Sequence, residues 1–178
     1  MLFHGSDNGT IDELKPMLSN HGKEYVYLTD NYVLAILYAH NPLKRPGGFF
    51  TYKFKNGKLW YDEYFENQTK VMYKGKKGFI YHFEDDNTLQ RIEKMPWVYI
   101  SEQNIKPSNV EQIDDIYEEL LRQEKLGNLV INRHENMSEE EKAKYRKIVE
   151  NDIQVKELKK YLDCDYAKFL HEHFPELI

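Results

Sequence analysis

The sequence predicts an α+β protein, because segments with strand character come first and segments with helical periodicity come last. Up to about residue 108, short β-branched and aromatic runs are separated by Gly, Pro, Asn and Asp. Beyond that point, apolar residues recur every three to four positions, as on one face of a helix. We therefore expect a domain at 1–108 and a helical extension at 109–178 that packs on it.

Composition limits the class of protein. The chain of 178 residues has 14 Tyr and 9 Phe, enough for a hydrophobic core, and its single Cys excludes an internal disulfide. Without an apolar run of membrane-spanning length or a signal peptide, we expect a soluble cytoplasmic protein with no membrane partner. Residues 1–108 carry a net charge of +1 and residues 109–178 a net charge of −6. The acidic extension favours a basic protein surface over a nucleic acid as partner.

The first predicted strand, Met1 to Phe3, leads directly into His4, Gly5 and Ser6. A histidine and a glycine at a strand end would place an imidazole at the edge of a sheet, beside a backbone that a ligand can approach closely. These residues are therefore candidates for a binding site.

A second predicted strand, Tyr25–Leu28, runs into a predicted buried helix over Asn31–Ala39. Thr29 and Asp30, between the two, are residue types that cap helices. This connection places Tyr27 on the strand and Tyr38 on the helix, where the two rings would face each other across a gap for a flat aromatic ligand.

The other predicted elements follow the same signals. Strands are expected at Phe49–Phe54, Leu59–Tyr61, Phe79–Glu84, Trp97–Ser101 and Asn128–Ile131, with a turn at Pro42–Gly48 and a hairpin at Asn56-Gly57. Helices are expected over Ile113–Leu121, from the Ser138 capping box, through Val155–Leu162, and over Tyr166–Phe174.

Two of these stretches resemble the first motifs of ADP-ribosyltransferases, in the poly-ADP-ribose-polymerase-like and diphtheria-toxin-like branch. The matching residues are Phe3-His4-Gly5-Ser6, Val26-Tyr27-Leu28-Thr29, Ala35 and Tyr38-Ala39. The resemblance implies two packed antiparallel sheets with a cleft for NAD, which is a substrate in this family. It implies that His4 holds ribose hydroxyls, that Gly5 binds the nicotinamide carboxamide through its backbone, and that Tyr27 and Tyr38 sandwich the ring. Ser6 belongs to the same motif.

The family also uses a glutamate that stabilises the oxocarbenium-like centre formed when the nicotinamide–ribose bond breaks. Counting back from Pro107 to the expected position gives Trp97, which is not an acid. Glu93 is the first candidate for this catalytic role, and Glu84 and Glu102 are the alternatives.

The resemblance therefore implies an enzyme that transfers ADP-ribose from NAD to a protein or nucleic-acid target, with His4, Tyr27 and Glu93 as catalytic residues. Two alternatives stay open. One is a catalytically inactive module of the same fold that binds NAD or a partner, which the Trp at the glutamate position favours. The other is an RNA 2′-phosphotransferase, against which Tyr27 in place of a histidine argues.

Other polar groups are interpreted as structural. Lys70, Lys74, Lys76 and Lys77 are more typical of a solvated surface than of a phosphate site. His171 and His173 lie two residues apart and point away from each other on a helix, so no metal site is expected.

Overall fold

The computed structural model describes residues 1–18, 23–40, 51–85 and 89–178. The predicted turn at Pro42–Gly48 and the first two residues of the predicted strand Phe49–Phe54 lie outside the described residues.

The described strands form two sheets. They are β1 (Leu2–Ser6), β2 (Met17–Leu18), β3 (Glu24–Thr29), β4 (Thr51–Lys55), β5 (Lys58–Asp62), β6 (Gly78–Phe83), β7 (Gln90–Ile92), β8 (Met95–Ser101), β9 (Asn109–Ile113) and β10 (Leu129–Asn132). The large sheet has the order β7-β8-β3-β1-β6-β9, with β2 paired to β3. The small sheet has the order β10-β5-β4. Because β10 runs parallel to β5, the small sheet is not purely antiparallel as the resemblance implied.

The described helices are α1 (Tyr32–Tyr38), α2 (Gln68–Tyr73), α3 (Ile116–Lys125), α4 (Glu139–Val155) and α5 (Asp165–His173), with 3-10 turns at His134–Asn136 and Leu158–Lys160. The predicted α+β class is therefore confirmed. The capping box at Ser138 is also confirmed at the start of α4. The predicted cap of α1 is wrong: Asn31 caps this helix and accepts from the N–H of Leu34 at 2.8 Å. The Thr29 hydroxyl instead accepts from the N–H of Asn31.

The large sheet separates two hydrophobic clusters, since successive strand residues point to opposite faces. One cluster contains Leu2, Val26, Leu28, Tyr81, Phe83 and Tyr99. The other, larger cluster joins α1 and the small sheet to α3, α4 and α5. The helices α1 and α3 both belong to this larger cluster.

The segment 109–178 is not a purely helical extension. β9 pairs with β6 in the large sheet, and β10 pairs with β5 in the small one. The fully buried carboxylate of Asp62 on β5 accepts from the side chains of Lys53 on β4 at 3.2 Å and Asn132 on β10 at 2.8 Å. The division into 1–108 and 109–178 stays a prediction, but it does not coincide with a boundary between sheets.

Two predicted helices differ from the observed ones. Ile113 is the last residue of β9, and α3 begins three residues later behind the N-cap Asp115. The predicted helix over Val155–Leu162 is only a 3-10 turn, because Glu157 adopts a left-handed conformation with φ of 49° and interrupts the helical path. The asparagine-glycine hairpin between β4 and β5 is confirmed.

Candidate functional site

The strands β1 and β3 separate after a single paired position, Phe3 with Thr29. The Tyr27 carbonyl points towards β1, because the imidazole of His4 reaches it. Residues two apart on a strand direct their backbone groups to the same side, so Thr29 and Phe3 form a hydrogen-bonded pair. By the same alternation, the N–H and C=O of Gly5 face the gap opposite Tyr27. The two strands thus leave an opening that the backbone N–H and C=O of Gly5 face.

His4 bridges this gap. Its Nδ1 lies 3.0 Å from the Tyr27 carbonyl oxygen, and because a carbonyl only accepts, Nδ1 carries the proton. Burial lowers the pKa of His4, partly offset by this hydrogen bond. The ring is therefore neutral near pH 7, and its Nε2 is a hydrogen-bond acceptor. His4 lies within an interior strand and not at the edge of the sheet as predicted, since β6 pairs with the other side of β1.

A cavity of about 420 Å³ opens at the separation of the strands. It is lined by Phe3, His4, Gly5, Leu18, Tyr27, Leu28, Thr29, Leu34, Ala35, Tyr38, Tyr52, Met95 and Val98. The residues come from strands β1, β2, β3, β4 and β8 and from α1. The structure therefore brings together four of the five residues predicted to bind a cofactor: His4, Gly5, Tyr27 and Tyr38.

The structure shows why position 5 requires a glycine, which the sequence alone does not indicate. A Cβ added there would lie 1.9 Å from the carbonyl oxygen of Ala35 and 2.7 Å from the backbone nitrogen of Ala39. The backbone of α1 thus approaches β1 too closely for any side chain. The absence of a Cβ serves helix packing on one face, while the backbone groups of Gly5 face the gap in the plane of the sheet.

Three tyrosines and Phe3 form the aromatic part of the cavity. Tyr27 is on β3, Tyr38 is on the last turn of α1, and Tyr52 on β4 was not singled out by the sequence analysis. Burial, together with the neighbouring Tyr52, raises the pKa of Tyr38, so its hydroxyl stays protonated. The Tyr38 side chain is nevertheless 51% exposed, which places it at the mouth of the cavity.

Ser6 lines a second cavity of about 510 Å³ that adjoins the first. The two cavities share His4, Leu18 and Tyr27 as lining residues. Besides Ser6, the second cavity has the polar side chains of Glu13, Lys15 and Tyr25. Lys15 is the one cationic residue among the described residues that line either cavity.

The three candidate catalytic carboxylates do not line either cavity. Glu93 is exposed in the two-residue turn of the β7–β8 hairpin, where Ile92 pairs with Met95. Glu84 and Glu102 are exposed just beyond the ends of β6 and β8. The sequence carries no clear signal for β7, so Glu93 is not recognisable as a turn residue from the sequence alone. The catalytic role of Glu93 stays a prediction.

The residue at the predicted glutamate position, Trp97, packs elsewhere. Its ring lies 4.4 Å from that of Phe54 and 6.4 Å from that of Tyr52, and it does not line the cavity. Strand β8 begins two residues before Trp97, and its first residue, Met95, lines the cavity together with Val98. No carboxylate is found among the described residues that line this cavity.

Two other features noted in the sequence can be located in the described part of the chain. Lys70, Lys74, Lys76 and Lys77 are exposed. Across residues 1–18, 23–40, 51–85 and 89–178, no group of three His, Cys, Asp or Glu side chains is arranged to hold a metal ion. No helix in these ranges is long and apolar enough to cross a membrane.

Comparison with known proteins adds no relative: no family model, no curated protein and no solved structure matches this chain.

Proposed function

We propose that this chain is an ADP-ribosyltransferase-like protein that binds NAD with the nicotinamide ring in the cavity between β1 and β3. The observation that carries the proposal is the convergence of His4, Gly5, Tyr27 and Tyr38, which lie up to 34 positions apart, on one cavity. Ordinary core packing does not account for this arrangement, because Tyr27 is half-buried and Tyr38 is exposed, and both rings line a cavity.

Each group offers chemistry that suits one part of the nucleotide. The nicotinamide carboxamide has one acceptor and an N–H donor, which complement the N–H and C=O of Gly5 that face the gap. The rings of Tyr27 and Tyr38 offer aromatic walls to a flat cationic ring. The Nε2 of neutral His4 accepts a hydrogen bond from a ribose hydroxyl. Ring, amide and ribose are thus all accommodated by residues at one opening.

With the nicotinamide ring and its ribose in the first cavity, the diphosphate and the second nucleoside of NAD need further room. The adjoining second cavity offers the Ser6 hydroxyl and the Lys15 ammonium, which suit a diphosphate. Glu13 also lines this cavity, and its carboxylate accepts from the side chain of Asn104 at 2.9 Å. We assign the phosphates to the side of the cavity that Lys15 occupies.

The reaction expected from the resemblance is transfer of ADP-ribose to an acceptor, with release of nicotinamide. The bond that breaks joins the nicotinamide nitrogen to ribose C1′, and positive charge develops on the ribose ring. A nearby carboxylate would stabilise that charge. The described residues that line the first cavity include His4 and three tyrosines but no Asp or Glu. Among the described residues that line this cavity, His4 is the group that can act as a base on the acceptor.

This missing charge favours a second candidate function, a module that binds NAD, or a partner at the same cavity, without rapid transfer. An RNA 2′-phosphotransferase has less support, because the reaction uses additional His and Arg groups on the phosphate. His4 is the only residue of these two types among the described lining residues of both cavities.

Thermal unfolding with and without NAD tests the proposal, because a ligand that binds the native state raises the melting temperature. We expect NAD and nicotinamide to stabilise the protein and Tyr38→Ala to abolish this effect. Tyr161→Ala is a matched control, because Tyr161 is 60% exposed and lies outside both cavities. Nicotinamide release then separates the two candidates. No stabilisation at millimolar NAD would refute the NAD site itself.

A further inference from the structure

A separate cleft of about 430 Å³ lies among the segment after β5, α4 and the end of α5. It shares no lining residue with the two cavities beside His4. Its floor is aromatic: Tyr64, Phe65 and Phe174 line it and are each no more than 6% exposed. This cleft is therefore independent of the proposed NAD site.

An imidazole stacks on this floor. The ring of His173 lies 4.2 Å from the ring of Phe65, with 24° between the two planes. Burial lowers the pKa of His173, so the ring is neutral near pH 7. Burial, followed by the neighbouring Lys142, also lowers the pKa of His134, which lines the same cleft. Neutral imidazole and benzene rings together form a surface on which a planar cation can stack.

The charged residues that line the cleft form two ion pairs, and one further carboxylate belongs to neither pair. Lys142 pairs with Glu139 at 2.8 Å, and Arg146 pairs with Glu176 at 2.9 Å, so both cations of the cleft are compensated. Glu66 lines the cleft and makes no ion pair with any described residue. An anionic ligand would first have to displace a glutamate from Lys142 or Arg146, whereas a cation can pair with Glu66 directly.

We propose that this cleft binds the guanidinium group of an arginine side chain on a basic partner protein. A guanidinium is planar, so it can stack on the aromatic surface at His173 while it donates two parallel hydrogen bonds to the Glu66 carboxylate. A lysine ammonium lacks both the flat face and the fork of donors. The net charge of −6 on residues 109–178 attracts a basic surface and raises its rate of encounter.

The test is an NMR titration of the full-length protein with N-acetyl-arginine methylamide, followed at the ring signals of His173 and His134. We expect saturable shifts of both signals with the arginine probe and at least threefold weaker binding of N-acetyl-lysine methylamide. Inorganic phosphate is the probe for the opposite charge. Tighter binding of phosphate than of the arginine probe, or no saturable shift with the latter, would overturn the proposal.

Variants locate the contact. Glu66→Gln removes the carboxylate of an exposed residue, so the fold should survive, and we expect affinity for the arginine probe to fall about threefold or more. Glu102→Gln removes the same charge from an exposed position outside the cleft and should leave affinity unchanged. Equal losses in the two variants would indicate general charge attraction and would refute the cleft as the site. These measurements use no NAD, so their failure is independent of the proposed function.

Discussion

The imidazole of His4 donates to the carbonyl oxygen of Tyr27 across 3.0 Å, at the point where β1 and β3 no longer pair. One side chain therefore both closes the gap between two strands and forms part of the cavity wall. For this reason, the effects of substitutions at His4 on folding and on binding have to be measured separately.

His4→Ala should lower the free energy of unfolding by about 1–3 kcal/mol, because the Tyr27 carbonyl loses its partner in a partly buried position. It should also weaken NAD binding by about 1–3 kcal/mol if His4 accepts from a ribose hydroxyl. Urea unfolding gives the first quantity, and calorimetric titration at a temperature where the variant is folded gives the second. A loss of stability with unchanged affinity would assign His4 a purely structural role.

Stability should fall between pH 7 and pH 5. Burial lowers the pKa of His4, His40, His134 and His173 in the folded protein, while the unfolded chain keeps the ordinary value of about 6.5. Below pH 6.5 the unfolded state therefore binds more protons than the folded state, and the free energy of unfolding decreases as the pH falls towards the lowered values. At pH values about one unit or more above 6.5, these groups are neutral in both states and the contribution is complete.

Urea unfolding at pH 7.5, 6.0 and 5.0 measures this dependence. His173→Phe keeps a ring against Phe65 but removes one titrating group, so the decrease between pH 7.5 and 5.0 should be smaller in this variant. A wild-type protein whose stability is flat or rises over this range would contradict the sign derived from burial.

Gly5→Ala should destabilise the fold rather than merely block a ligand. The new Cβ would lie 1.9 Å from the Ala35 carbonyl oxygen, so α1 would have to move away from β1, at a cost of at least about 2 kcal/mol. Gly57→Ala is the control, because Gly57 has a positive φ of 73° but nothing near its Cβ position. This substitution should lower the free energy of unfolding by about 1 kcal/mol. Denaturant unfolding of the two variants compares these costs, and a stable Gly5→Ala protein would refute the close helix contact.

The sequence predicted best what is encoded within a few residues. The hairpin at Asn56-Gly57 and the capping box at Ser138 are local, since the φ values or hydrogen bonds involved lie inside the motif itself. β9 was missed because Ile113 fits a helical period as well as a strand, and only pairing with Gly78 on β6 decides between them. The short strand β7 was also not predicted, because it is defined by its pairing with β8 and not by a local sequence pattern.

The residues of the candidate site show the same difference between local and long-range signals. The sequence identified His4, Gly5, Tyr27 and Tyr38 from a motif, and all four line one cavity. It did not identify Tyr52 or Met95, because their places in the cavity depend on how distant strands are aligned. The count back from Pro107 placed the cavity-facing residue of β8 at Trp97. In the structure, Met95 and Val98 line the cavity, and Trp97 packs against Phe54.

A chain that ends at Ser108 should not fold on its own. It would lack β9 and β10, and with them the buried residues Ile113, Leu129 and Ile131. The buried carboxylate of Asp62 would also lose Asn132 as a donor. Circular dichroism and urea unfolding of this shortened chain check the expectation. A soluble protein with a cooperative transition would instead support an independent domain at 1–108.

The last prediction concerns the charge that the cavity lacks. If NAD binds between Tyr27 and Tyr38, Met95, which lines the same cavity, is a position at which a carboxylate can be introduced beside the ribose. A suitably placed negative charge contributes about 3 kcal/mol to such a transition state, on the order of a hundredfold in rate. We therefore expect Met95→Glu to raise nicotinamide release at least tenfold above wild type, because the gain appears only where charge develops in the reaction.

Met95→Gln has the same shape without the charge, so it controls for any change in the cavity wall and should leave the rate near that of wild type. Glu93→Gln, Glu84→Gln and Glu102→Gln should leave both NAD affinity and nicotinamide release unchanged, since all three carboxylates are exposed and outside the cavity. If Glu93→Gln instead lowers a measurable wild-type rate tenfold while NAD affinity is kept, the β7–β8 turn brings Glu93 into the site during the reaction. In that case Glu93 is the catalytic carboxylate, and the protein cleaves NAD and is not a silent binding module.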